Sequence, residues 1–66
     1  MYILVIPSWT YLESVRPAKY LMREKGFNYW TPDIQKATEF DLEMSEKLLK
    51  ALKIGQPNHR AIMVIA

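Results

Sequence analysis

Three groups of residues in this chain are of types that could do chemistry. Glu39, Asp41 and Glu43 recur at every second position, so a strand would carry all three carboxylates on one face and could offer them to a hard cation. The commoner use of that pattern is the solvated face of a partly exposed strand. His59 is the single histidine. It could act as a base only if a carboxylate reached it from far along the chain, and Gln56-Pro57-Asn58-His59 reads instead as an exposed turn. Arg16, Lys19 and Arg23 are spaced to lie along one flank of a helix with Tyr20 beside them, and such a stripe could hold phosphates while rings stack on bases. A solvated helix face explains the same stripe.

The rings make the last group more interesting. Of eight aromatic residues, seven lie in the first thirty positions: Tyr2, Trp9, Tyr11, Tyr20, Phe27, Tyr29 and Trp30. Tryptophan and tyrosine concentrate binding energy at protein interfaces, because they bury large rigid area and keep a polar handle. The expected partner-binding residues are therefore Trp9, Tyr11, Arg16, Lys19, Tyr20, Arg23 and Trp30. The rings would supply apolar contacts and the cations would steer an acidic surface.

Other chemistries find little support. Cysteine is absent, which removes disulfides and thiolate metal sites, and one histidine is too few for a zinc centre; no catalytic residue, metal ligand or cofactor is assigned. Gly26 and Gly55 are isolated and follow segments that read as helices, whereas a phosphate cradle needs glycines before a helix. A chain of 66 residues also provides little material to wall an enzyme pocket, so an enzyme would need its site at a boundary between identical subunits.

These residues must be positioned by one small domain, residues 1–66. Such a chain buries only about 60% of its unfolded surface, but its 50% apolar content is enough for a core. The net charge of +2 is too small to attract nucleic acid in bulk. The apolar opening has neither a basic leader nor a small-residue cleavage site, and no apolar run is long enough to span a bilayer, so a cytoplasmic location is expected.

Tyr2–Ile6 and Ala61–Ile65 read as strands apolar on both faces. Pro17 opens a helix whose stripe is Ala18, Leu21 and Met22, stopped at Gly26, with Phe27 clasped back on Met22. Phe27–Trp30 is a short strand. Residues 37–42 alternate, with Thr38, Phe40 and Leu42 on one face. Met44 and Ser45 have the form of a staple and cap for a helix from Glu46 to about Lys53, which Gly55 ends. The order strand, helix, strand, strand, helix, strand is the ferredoxin-like split βαβ plait, an α+β fold with two helices on one face of a four-stranded antiparallel sheet. In the alternative, residues 9–13 and 31–36 add helical turns and leave three strands.

In either arrangement the first and last strands lack a polar side for the uncovered sheet face. Loops such as 7–13 could fold over that face; otherwise a second copy or another protein covers it. The function expected is a small protein-binding or regulatory module, with a single-stranded nucleic-acid binder as the alternative on the same residues. No motif assigns the chain to a family.

Overall fold

A computed structural model describes all residues 1–66. Strand β1 (Tyr2–Ile6) lies inside the sheet; β2 (Trp9–Tyr11) and β3 (Ser14–Arg16) form a separate two-stranded ribbon. Strands β4 (Lys19–Glu24) and β5 (Phe27–Thr31) follow, then a 3-10 turn at Ile34–Lys36, helix α1 (Leu42–Gly55) and strand β6 (Ile62–Ile65). The main sheet has the order β5-β4-β1-β6 with every pair antiparallel. The four-stranded antiparallel sheet agrees with the sequence reading. The two-helix plait does not, because the chain has one α-helix and the segment from Pro17 to Gly26 is a strand.

The physical reason lies in the turn. Lys25 and Gly26 both have positive φ, 52° and 81°, the geometry of a two-residue type I′ hairpin whose twist matches that of its strands. Gly26 is thus a hairpin turn rather than a helix stop. Phe27 pairs with Glu24 across it and is 65% exposed, so it does not clasp Met22. The helical spacing of Ala18, Leu21 and Met22 is coincidental; Leu21 instead finds a cross-strand partner in Trp30, a tertiary contact that outweighs local periodicity.

The ribbon β2–β3 continues the β1–β4 hairpin. Ile6 pairs with Lys19 and Trp9 with Arg16, so both strands advance by the same number of residues and the register is unbroken. Pro7 and Pro17 interrupt the ladder because neither has an N–H to donate. Leu12, with φ 55°, begins the tip.

Toward its far end β1 separates from β4, and residues 38–40 enter the gap. Tyr2 and Phe40 exchange both backbone hydrogen bonds at 2.8 Å. On the other side, the Thr38 N–H donates to the Leu21 carbonyl at 3.0 Å, and the Arg23 N–H donates to Thr38 Oγ1 at 2.8 Å. The expected alternation of Thr38 and Phe40 inward is present, but as one bridge rather than a strand.

Helix α1 begins earlier than the sequence reading placed it. Asp41, not Ser45, is the N-cap, its carboxylate accepting from the Met44 N–H at 2.8 Å. Ser45 lies within the inward stripe and is fully buried. The helix packs Met44, Leu48 and Leu49 on a core of Leu4, Leu21 and Phe40, with Trp30 and Met63 at its margin. The helix also runs past the expected end near Lys53: Gly55 is its last residue and Gln56 its C-cap.

Candidate functional site

Because side chains alternate along strands, the core assigns both faces of the sheet. Leu4, Leu21, Trp30 and Met63 point to α1. The registers then set Ile3 beside Val64, Val5 between Tyr20 and Ile62, Met22 beside Tyr29, and Glu24 beside Phe27 on the other face. Two of these four rows are wholly apolar or aromatic, while the Tyr20 row ends on Thr31 and Phe27 is paired with Glu24. Ile3 and Val5 are buried, whereas Phe27 is 65%, Tyr29 49%, Ile62 46% and Val64 38% exposed. The 3-10 turn reaches one end of this face, where Ile34, Ile3 and Val64 line a cleft of about 420 Å³. No second helix covers the remainder.

The seven residues expected at a partner site are divided among three places. Trp9, Tyr11 and Arg16 are on the ribbon, with Arg16 directly across from Trp9. Lys19 and Arg23 are on β4, not on a helical flank, and four residues of strand separate them by about 13 Å. Tyr20 points to the open sheet face. Trp30 is partly buried against the core. Trp9, Arg16 and Lys19 do meet, lining one cleft of about 380 Å³ with Ile6 and Pro17. Arg23 is engaged elsewhere: its Nε donates to Asn28 Oδ1 at 2.9 Å, and its guanidinium lies 5.4 Å from the Phe40 ring centroid.

Arg60 belongs to this cleft's surroundings although no local sequence signal points to it. Extending the β1–β6 register places it across from Pro7, and its guanidinium stands 4.5 Å from the centroid of Trp9. On the other side of Trp9's register, Tyr11 lies 6.1 Å away with its ring tilted 58°. No ion pair within 4.0 Å is made by any cation of the chain.

The remaining candidates have structural partners. His59 is in the turn region, but half-buried rather than exposed: its ring lies 5.8 Å from Trp30. Its Nδ1 accepts from the Ala61 N–H at 3.1 Å, while its carbonyl accepts from Lys53 Nζ at 3.3 Å. The carboxylates Glu39, Asp41 and Glu43 are not one strand face, since Asp41 caps α1 and Glu43 is in its first turn. No group of three or more His, Cys, Asp or Glu residues could hold a metal ion. No helix is long and apolar enough to cross a membrane.

No family model, curated protein or solved structure matches the chain.

Proposed function

We propose that the chain is a protein-binding module that works through the open face of its sheet, and that the surface it binds there is a second copy of itself. The observation that carries this reading is the exposed apolar surface formed by Tyr20 and Met22 of β4, Phe27 and Tyr29 of β5, and Ile62 and Val64 of β6, around the buried Ile3 and Val5 of β1.

Three arguments favour a second copy as the occupant. The first is the size of the core. Only six apolar residues are buried, in a chain whose length is near the limit for a stable lone domain; joining two open faces gives each copy a second core. The second is area. An aromatic side chain can bury about 150–250 Å², so the exposed parts of Phe27 and Tyr29 alone supply on the order of 200 Å². With its aliphatic neighbours the face reaches roughly 500 Å² per copy. Two such faces bury about 1,000 Å², where specific interfaces begin. The third is charge. Glu24 is the one charged side chain in these rows and stands at the margin, and Glu39 lies at the end of the face where the cleft opens, so the Tyr20, Val5 and Ile62 row between them carries no charge. Two sheets stacked about 10 Å apart, with the helices outside, satisfy all three.

The test is a paired substitution. Tyr29→Lys puts a charge into the middle of the interface at a position that is exposed in the single chain, and should yield a folded monomer. Lys47→Glu on the exposed side of α1 should leave the dimer intact. If Tyr29→Lys dimerises as the native chain does, the open face is not the contact.

A further inference from the structure

The cleft between the ribbon and the start of β6 uses none of the residues of the sheet face, and it has a chemistry of its own. Arg16 and Lys19 line it together with Trp9, and Arg60 closes over the Trp9 ring at 4.5 Å. Two cations thus line the cleft with Trp9 and a third lies over the same indole, and none of the three is in an ion pair. Their donors are also free. Arg23 donates to Asn28 and Lys53 to the His59 carbonyl, but no side-chain nitrogen of Arg16, Lys19 or Arg60 donates to a protein group.

Arg60 is held in place from both ends. Its backbone is followed by Ala61, which is fully buried and donates its N–H to His59. Its guanidinium lies over the Trp9 ring at 4.5 Å, a cation–π contact that consumes none of its N–H donors. Holding like charges together costs energy, and an anion in the cleft would offset that cost. Beside the cations are two rings, the edge of Trp9 and the 60% exposed Tyr11. A peptide of carboxylates alone, such as polyglutamate, would satisfy the cations and leave the rings unused. A chain of phosphates carrying unpaired bases would use both.

We infer that this cleft binds single-stranded nucleic acid, its phosphates held by Arg16, Lys19 and Arg60 and a base stacked against Tyr11. Arg23, Tyr20 and Trp30 take no part.

The probe is a fluorescently labelled oligothymidylate of about 15 nucleotides, followed by anisotropy in the native chain. Three phosphate contacts at about 0.7 counterions each give a slope of log K against log salt near −2, or roughly twentyfold weaker binding at 200 mM than at 50 mM salt. Lys19→Gln, at an exposed position, should reduce the slope by about 0.7 with an unchanged circular dichroism spectrum. Arg60→Gln should do the same and also weaken binding at low salt. Tyr11→Ala should weaken binding severalfold with the slope intact. The inference is overturned by no binding at 50 mM salt, by equal displacement with polyglutamate of the same charge, by a duplex of the same length binding more tightly, or by full binding in both cation variants.

Discussion

The Thr38 hydroxyl accepts the Arg23 backbone N–H at 2.8 Å and lies 3.5 Å from the Arg23 carbonyl. One side chain thus stands in for a strand at the point where β1 and β4 part. This relationship lets the sheet splay open wide enough to admit Phe40, whose ring then fills the core beside Leu4 and Leu21.

Thr38→Val keeps the shape and removes the acceptor, which leaves a partly buried N–H unpaired. The cost should be about 1–2 kcal/mol, lowering the midpoint of thermal unfolding by roughly 4–15 °C for a domain of this size. Thr38→Ser, which retains the hydroxyl, should recover most of the loss. A loss in Thr38→Ser with none in Thr38→Val would show that the methyl group, not the hydrogen bond, is what matters.

Ser45 offers the opposite case. It is completely buried in the inward stripe of α1, and its Oγ has no hydrogen-bond partner. Ser45→Ala removes an unsatisfied hydroxyl with almost no change in volume and substitutes a better helix former. It should stabilise the protein by about 1 kcal/mol in denaturant unfolding. A loss of stability would mean that the hydroxyl has a partner in solution.

The Lys25-Gly26 turn demands positive φ at both positions. Lys25→Asn supplies the residue that tolerates this conformation best before glycine, and should add a few tenths of a kcal/mol. Gly26→Ala should cost about 1–2 kcal/mol. Because a Cβ there meets no atom within 4 Å, that penalty is conformational and no steric repair elsewhere should relieve it. Chemical denaturation of the two variants side by side measures both effects.

How much of this was legible depended on whether the signal was local. Tyr2–Ile6 and residues 62–65 are β-rich runs without an alternative period, and they could be read directly, as could the apolar character of the face between them. Leu21 could not, since Ala18, Leu21 and Met22 at i, i+3 and i+4 imitate a helix and only its partner Trp30, across a tight turn, decides against it. The two-residue gap ending in Gly26 before a second β-rich run was the available hairpin signal. Asp41, not Ser45, caps the helix; the burial that excludes Ser45 is tertiary. The candidate site was legible in residue type but not in grouping. Trp9, Arg16 and Lys19 meet because the hairpin keeps its register past two prolines, while Arg60 joins them through the β1–β6 pairing, more than forty residues away in sequence.

If a second copy covers the open sheet face, it will show in the mass of the protein in solution at micromolar concentration. The native chain of 7.8 kDa should run at about twice that mass, with Tyr29→Lys at the single-chain mass and an unchanged circular dichroism spectrum. A native chain that remains monomeric and folded at every concentration up to the millimolar range would contradict it.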